Sequence, residues 1–141
     1  MKEYVLDANA VIRYFAVGDG QGGEKVRGLF EDAERGHVRL FMSVINMGEV
    51  FYILLKHIGE QRALHYVQVL QHAVTMIDAD ANRTIEAATL KHQYKLGYAD
   101  SFAAALALAS KATLVSADPS FEKVGKSLKW MRLPKFDAKR R

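Results

Sequence analysis

The sequence predicts a mixed α/β fold, a three-layer α/β/α sandwich with a mainly parallel central sheet. Short segments rich in β-favouring residues alternate with longer segments whose apolar residues recur at helical spacing. Glycines and capping residues separate these segments. Half of the 141 residues are hydrophobic, so the chain can bury a core of its own. Alternating strands and helices are typical of a parallel sheet that is covered by helices on both faces.

We expect a single domain over residues 1–141, since the sequence has no internal repeat and no long linker. Its charge is unevenly distributed. The C-terminal end, at about residues 121–141, carries eight Lys or Arg residues against two acids, whereas the first 120 residues carry a net charge of −2. A basic end attracts polyanions such as nucleic acid, although a solvated tail explains the same charge.

The first part of the chain is predicted to contain two strands and two helices. Residues 3–6 form the first strand, and residues 8–17 form a helix that ends at the glycine-rich residues 18–23. Apolar residues at helical spacing predict a second helix over residues 24–35. Residues 38–42 then form the second strand.

The middle of the chain is predicted to contain two helices and a strand. Ser43 is expected to cap a long helix that continues to Ile58 and ends at Gly59. A further helix covers residues 60–72, and residues 74–77 form the third strand.

The last part of the chain repeats this alternation. A helix over residues 80–96 has a stripe of residues that we expect to be buried: Ile85, Ala88, His92 and Leu96. Gly97 ends that helix. The apolar run at residues 102–109 predicts a fully buried helix. Residues 113–116 and 128–133 form the last two strands.

Two predicted strands run directly into an acidic residue. Asp7 follows the first strand in YVLDAN, and Asp118 follows the fourth in LVSADPS. Carboxyl ends of parallel strands meet at one edge of a sheet, where α/β proteins bind their ligands. Each acid also has a simpler explanation: Asp7 as the N-cap of the next helix, and Asp118, before Pro119, as the start of a turn.

Two more acids lie in apolar surroundings. Glu49 shares a helical stripe with Ile45, Tyr52 and Ile53, and a carboxylate there is expensive to bury unless it is paired or binds a metal. The alternative is a partly exposed Glu49 at the edge of the stripe. Asp100 precedes the apolar helix, and we expect it to cap that helix.

The four acids together predict a metal site. Carboxylates that are brought together repel one another unless a cation balances them. Mg²⁺ and Mn²⁺ prefer oxygen ligands, and either ion can activate water and stabilise a leaving oxygen at a phosphate. The residues therefore point to a metal-dependent phosphodiesterase. A receiver-like domain that accepts a phosphoryl group is an alternative, but LVSADPSF lacks the lysine that such a site adds.

Four motifs, VLDANAVI, SVINMGEV, YADSFAAALAL and LVSADPSF, resemble the PIN-domain family in their order and spacing. Within that family they resemble the VapC-type toxin ribonucleases of toxin–antitoxin systems, over nearly the whole chain. The resemblance implies an α/β/α fold and places the acids of the family on Asp7, Glu49, Asp100 and Asp118. These acids would hold one or two Mg²⁺ or Mn²⁺ ions and activate water to cut RNA.

The resemblance also implies supporting polar residues. Three side chains would orient ligands or waters: Asn9, Ser43 and Ser116. Each also has a structural explanation: Asn9 as a helix N-terminal residue, Ser43 as a cap and Ser116 as a strand end. The chain departs from the family pattern after Asp118, where Pro119 and Ser120 stand in place of a further polar or acidic residue. This departure puts direct binding of a metal by Asp118 in doubt.

VapC-type proteins are usually paired with a small antitoxin and are often homodimers, so the resemblance implies an antitoxin partner and a homodimer. The absence of cysteine and of a predicted signal peptide or membrane helix favours a cytoplasmic location. Five apolar or aromatic residues could line a groove that binds the antitoxin: Tyr14, Phe15, Phe51, Tyr52 and Leu55. Their helical spacing is also explained by packing in the core. A PIN nuclease that processes RNA without being a toxin is an alternative. A catalytically silent module that binds RNA or a partner is another.

Several functional classes are excluded or disfavoured. The absence of cysteine excludes disulfides, thiolate metal sites and a cysteine nucleophile. The glycines at residues 18–23 match G-x-G-x-x-G, but they follow a predicted helix instead of a strand, which indicates a loop. The five histidines lack the spacing of a zinc site, and no serine lies in G-x-S-x-G. We expect neither a signal peptide nor a membrane helix, which needs roughly 20 apolar residues.

Overall fold

The computed structural model describes residues 1–17 and 22–134. Its strands are β1 Lys2–Leu6, β2 Val38–Ser43, β3 Thr75–Ile77, β4 Thr113–Ser116 and β5 Trp130–Arg132. Its α-helices are α1 Ala8–Ile12, α2 Gly23–Glu34, α3 Val44–Ile58, α4 Glu60–Ala73, α5 Ala81–Tyr94 and α6 Tyr98–Ser110. A π-helical turn, Arg13–Val17, continues α1, and a 3₁₀ segment, Pro119–Ser127, connects β4 to β5.

The strands form one sheet in the order β3-β2-β1-β4-β5, and every neighbouring pair is parallel. From β1 the chain builds outward to β2 and β3 on one side. It then crosses over to add β4 and β5 on the other side of β1. The carboxyl ends of β1 and β4 therefore border the point where the strand order reverses, and α/β proteins bind ligands in such a crevice.

Helices cover both faces of the sheet. Leu6 of β1 packs with apolar residues of α1, α2, α3 and α4, whereas its neighbour Val5 packs with α6 and the 3₁₀ segment. This division follows because successive side chains of a strand point to opposite faces. α5 packs outside α6 through Ala87, Phe102 and Ala105. The predicted α/β/α sandwich is confirmed, with a sheet that is parallel throughout the described residues.

The limits of α3 agree with the prediction. The Ser43 side chain accepts a hydrogen bond from the backbone nitrogen of Ile45 at 3.2 Å and so caps the helix. Gly59 ends it with a φ of 82°, a conformation that glycine adopts without strain. In contrast, the predicted helix over residues 8–17 is divided into α1 and the π-helical turn.

The buried face of α5 differs from the predicted stripe. Ala87 is buried, whereas Ile85 is 65% exposed and both Ala88 and His92 are exposed. Leu96 is buried but lies beyond the end of the helix. The stripe was wrong because α5 faces α6 with Ala87, Leu90 and Tyr94, which lie on a different side of the helix from Ile85 and Ala88.

Parts of two predictions lie outside the described residues. The glycine-rich segment includes residues 18–21, and the basic C-terminal end includes residues 135–141, which fall outside the two described ranges. Gly22 has a φ of 93°, and a Cβ there would lie 3.1 Å from Cδ of Pro134. This glycine therefore allows the start of α2 to lie against the chain after β5. In the described ranges, no helix has the length and apolarity to cross a membrane.

Candidate active site

Asp7 ends β1 and begins α1. Its Oδ1 accepts a hydrogen bond from the backbone nitrogen of Ala10 at 2.9 Å, so it is the N-cap of the helix. The residue is 2% exposed. The pKa of its carboxyl is raised to about 7, mainly by burial, with a smaller rise from the charges of Asp118 and Glu49, whereas hydrogen bonds from Ser116 and Ala10 oppose the rise. Capping explains the backbone contact, but it does not explain why the carboxyl lies among other acids.

Ser116, at the end of β4, connects two of these acids. Its buried hydroxyl donates to the Asp7 carboxylate and accepts a hydrogen bond from the backbone nitrogen of Asp118 at 3.0 Å. Asp118 caps the 3₁₀ segment by accepting from the backbone nitrogen of Ser120 at 2.9 Å. Burial pushes the pKa of Asp118 upward, but hydrogen bonds from Ser120 and Asp100 outweigh it, and the pKa lies below its ordinary value.

Asp100 lies in the first turn of α6, but it does not cap that helix. The N-cap is Gly97, which corrects the expectation that Asp100 has this role. The pKa of Asp100 is raised to about 7, first by burial and then by its hydrogen bond to Asp118 and the charges of Asp118, Asp7 and Glu49. The raised pKa of Asp100 and the lowered pKa of Asp118 are those of a pair in which a protonated Asp100 donates to the Asp118 carboxylate and the two share one proton.

Gly97 leaves the space that the Asp100 carboxyl occupies. A Cβ at Gly97 would lie 3.2 Å from Oδ2 of Asp100 and 3.7 Å from its Cγ. Any side chain at this position would therefore push the carboxyl aside by a few tenths of an ångström. Sequence reasoning treated Gly97 as the end of a helix and missed this role. A glycine three residues before an acid was the available signal.

Glu49 lies on α3 at the rim of the site. The buried residues of α3 are Asn46, Val50 and Leu54, whereas Glu49 is half-buried and Tyr52 is 60% exposed. Glu49 thus lies at the edge of the apolar stripe, which was the alternative considered from the sequence. Its partial burial raises the pKa of its carboxyl. The longer glutamate side chain can still reach toward the aspartates of the strands.

Asn46, a second residue that sequence reasoning missed, holds α3 against α6. It is fully buried, and its Nδ2 donates to the backbone oxygen of Ala99 at 3.0 Å. Its Oδ1 has no hydrogen-bond partner within the described part of the chain. Ala99 directly precedes Asp100, so this bond sets the distance between the helix that carries Glu49 and the turn that carries Asp100.

The four acids line one cleft of about 470 Å³ at the carboxyl edge of the sheet. Its walls are formed by Asp7, Ala8, Asn9, Ile12, Arg13, Glu49, Ile53, Asp100, Ala117, Asp118 and Pro119. The strands and helices that carry the acids are far apart in the sequence, and the crossover between β1 and β4 brings them together.

One buried cation, Arg13, borders the cleft. It is 4% exposed, and burial lowers the pKa of its guanidinium while the negative charge of Asp7 raises it. Its Nε donates to Oδ1 of Asn9 at 3.2 Å, and an Nη donates to the backbone oxygen of Pro134. Because a guanidinium can only donate, it turns the amide oxygen of Asn9 toward itself and leaves the Asn9 amide nitrogen available to the cleft.

The candidate ligands fit a hard divalent cation. All are carboxylate oxygens, which Mg²⁺ and Mn²⁺ prefer, and a cation can take the place of the proton that Asp100 and Asp118 share. Within residues 1–17 and 22–134, no three His, Asp or Glu side chains are already grouped so as to hold a metal ion. Binding therefore requires the acids to move closer, and Glu49 is exposed enough to do so.

Ser43 differs from the other predicted site residues, because it does not line this cleft. It is 4% exposed, its side chain caps α3, and it borders a separate small pocket beside Phe102. Asn9 lines the cleft, and Ser116 lies beneath it, hydrogen-bonded to two of the acids. The structure thus brings together the four acids, Asn9 and Ser116, and it separates Ser43 from them.

An apolar cavity of about 440 Å³ lies between the π-helical turn, α2 and α4. Tyr14 stacks on Phe30 with ring centroids 4.9 Å apart, and Phe15 contacts Tyr66 at the same distance. Of the five residues considered for a groove, Tyr14 and Phe15 line this cavity. Phe51 and Leu55 pack against the core, and Tyr52 is exposed.

The fold and the cleft define a class of protein: a parallel α/β domain with carboxylates at its topological switch point. The family model of the PIN domain matches residues 4–127, and the chain belongs to the PIN domain family. No curated protein sequence matches the chain significantly.

Several solved structures share the fold. VapBC2 from Rickettsia felis, bound to a DNA fragment from its promoter, is 18% identical, with a TM-score of 0.73 over 93% of this chain and 98% of that chain. DNA-bound VapBC from Salmonella typhimurium is 18% identical and has a TM-score of 0.73. The match covers 94% of this chain and 98% of that chain. The Mycobacterium tuberculosis toxin VapC20, which cleaves the sarcin–ricin loop, is 15% identical and has a TM-score of 0.70. The match covers 86% of this chain and 95% of that chain.

Proposed function

We propose that this protein is a Mg²⁺- or Mn²⁺-dependent endoribonuclease and the toxin of a VapBC-type toxin–antitoxin pair. One observation supports the nuclease most strongly: Asp7, Glu49, Asp100 and Asp118 line a single cleft at the switch point of the sheet. In two of them the pKa is raised to about 7. A protein gains nothing in stability from placing these carboxyls together, whereas a site for a divalent cation requires it.

The chemistry follows from the ligands. A divalent cation bound by these acids would stabilise charge on a phosphate oxygen and lower the pKa of water at the site. Asp7 is held rigidly by Ala10 and Ser116 and would fix one side of the cation. Asp100 and Asp118 would complete the cation site once they lose their shared proton. The Asn9 amide, turned by Arg13, would donate to a phosphate oxygen or to water.

The proposed partners are RNA, a cognate antitoxin and a second copy of the chain in a homodimer, with the cytoplasm as the location. Among the structural neighbours, one from Klebsiella pneumoniae is a toxin–antitoxin complex, and VapC20 is a toxin that cleaves the sarcin–ricin loop. The apolar cavity beside Tyr14 and Phe15 has the aromatic lining that an apolar segment of an antitoxin would contact.

A nuclease that processes RNA without acting as a toxin would use the same cleft. The presence of all four acids argues against a silent binding module, since such a module has no use for buried carboxyls with raised pKa values. A growth test separates the two nucleases. Induced expression of the chain in bacteria is expected to arrest growth if it is a toxin, and the same expression of Asp100→Asn is expected to be harmless.

The test of the nuclease is cleavage of mixed cellular RNA by the purified protein, with Mg²⁺ or Mn²⁺ against EDTA. The variants are Asp100→Asn and, as a matched control, Asp80→Asn, which changes an exposed N-cap aspartate of α5 outside the cleft. We expect discrete metal-dependent cuts by the wild type and by Asp80→Asn, and none by a folded Asp100→Asn. If the folded wild type cuts no class of RNA with either metal, the proposed activity is wrong.

A further inference from the structure

We propose that a second cleft, at the amino edge of the sheet, binds the phosphate backbone of RNA. This amino-edge cleft has a volume of about 480 Å³ and contains three lysines, Lys2, Lys111 and Lys129. It lies at the end of the strands opposite to the acidic cleft. The inference adds a binding site to the proposed nuclease, and as an RNA-binding site it can be tested without any cleavage.

The strand register brings these lysines side by side. Tyr4 of β1 pairs with Thr113 of β4. Lys2 lies two residues before Tyr4, and Lys111 lies two residues before Thr113, so these two lysines are at the same height along the sheet. Leu114 pairs with Trp130, which places Lys129 beside Thr113. Neighbouring strands lie about 4.8 Å apart, so the three lysines form a staggered row across the edge of the sheet, in which Lys129 lies two residues further along the strands than Lys2 and Lys111.

The positive charge of this row is not balanced locally. No described residue forms an ion pair or hydrogen bond with the ammonium groups of Lys2, Lys111 or Lys129, which are all exposed. Glu3 is the acid that lines the cleft, and its carboxylate lies 3.7 Å from the guanidinium of Arg39 on the neighbouring strand. The net charge of the amino-edge cleft is therefore positive.

A polyanion suits this cleft better than a single small anion. The row is open and spans three strands, and the apolar stems of Tyr4 and Met131 form its floor. On the other face of the edge strand β5, Arg132 lies 5.0 Å from the Trp130 ring. Lysines in the amino-edge cleft and this Arg132–Trp130 pair on the far face are basic and aromatic groups of the kinds that contact single-stranded RNA.

The acidic cleft also explains why a second contact is needed. Its carboxylates repel a polyanion until a cation is bound, so affinity for a long RNA must come from elsewhere on the surface. Lysines at the amino edge would hold the RNA beyond the scissile phosphate. Short substrates that reach only the acidic cleft would gain nothing from them.

The experiment measures binding of a fluorescent single-stranded RNA of mixed sequence in EDTA, where the proposed nuclease is inactive, as a function of salt. The test variant combines K2Q, K111N and K129Q; Asn replaces Lys111 because that residue has a φ of 55°, which Asn tolerates. The control combines K25Q, R62Q and K91Q, which remove three exposed cations of α2, α4 and α5. Unfolding curves establish that both variants fold.

We expect the test variant to bind the long RNA roughly tenfold or more weakly than the control, with a salt dependence shallower by about 2 in log–log slope. Its cleavage of a short oligonucleotide should equal that of the wild type. Equal RNA affinity and slope for the two variants would overturn the inference. Absence of cleavage by every protein would contradict the proposed nuclease but not this result.

Discussion

The buried carboxyl of Asp7 makes a quantitative prediction about stability. Its pKa is about 7 in the folded protein, against 3.8 for an ordinary aspartate. The folded state therefore binds the proton more tightly than the unfolded state does. The stability linked to this proton is fully present below about pH 4 and is lost as the pH rises through 7. With about 1.4 kcal/mol for each pKa unit, a shift of about three units corresponds to about 4 kcal/mol.

The perturbation is Asp7→Asn, which keeps the capping oxygen for Ala10 but cannot ionise. In EDTA, the free energy of unfolding of the wild type should fall by up to about 4 kcal/mol between pH 4 and 8 on account of this group. The variant should lack that fall, so at pH 8 it should be the more stable protein, with a Tm higher by about 10 °C. At pH 4 the two proteins should be nearly equal.

Urea unfolding at a series of pH values measures this difference directly. Asp80→Asn is the matched control, because Asp80 also caps a helix with its side chain but is exposed. The control should keep the pH profile of the wild type. Parallel profiles of wild type and Asp7→Asn from pH 4 to 8 would refute the argument that burial and neighbouring acids hold a proton on Asp7.

Three further variants test how the site is built. Gly97→Ala should lower RNA cleavage at least tenfold with little loss of stability, because the new Cβ would lie 3.2 Å from the Asp100 carboxyl. The control is Gly48→Ala, whose new Cβ would meet nothing within 4 Å and should leave cleavage unchanged. Asn46→Ala should cost about 1 kcal/mol in urea unfolding, since it removes the buried hydrogen bond from α3 to the Ala99 oxygen, and should also weaken cleavage. Ser116→Ala removes a hydrogen bond that lowers the pKa of Asp7, so in EDTA the Tm at pH 8 should fall more than the Tm at pH 5. An equal loss at both pH values would show that this hydroxyl acts through packing alone.

The sequence predicted what depends on local patterns. The strand before Asp7, the cap at Ser43 and the glycine that ends α3 are each encoded within a few neighbouring residues, and the structure has all three. The parallel sheet followed because strands and helices alternate. The same rule, applied to strand ends, placed Asp7 and Asp118 at one edge.

Contacts between distant segments could not be predicted in this way. Asn46 bonds to Ala99, and Arg13 bonds to Pro134, across long stretches of chain. The space at Gly97 depends on where α6 begins, and that start differed from the prediction by three residues. Which face a helix buries also depends on its neighbours, and for this reason the expected stripe of α5 was wrong.

The predicted roles of the site residues remain predictions. Asp7, Glu49, Asp100 and Asp118 line one cleft, and Asn9 and Ser116 lie beside them, but the ligand they share has to be measured. Ser43 has a structural explanation as a helix cap and lies apart from the cleft. Its replacement by Ala should therefore reduce stability by about 1 kcal/mol without a specific effect on metal binding.

The central claim is that the four acids hold a divalent cation, and calorimetric titration of Mn²⁺ into the purified protein tests it most directly. At pH 7 we predict binding to the wild type with release of protons, because Asp7 and Asp100 are partly protonated without the metal. A folded Asp100→Asn should bind far more weakly, and Asp80→Asn should bind as the wild type does. Equal binding by wild type and Asp100→Asn, or no binding by the wild type, would contradict the claim.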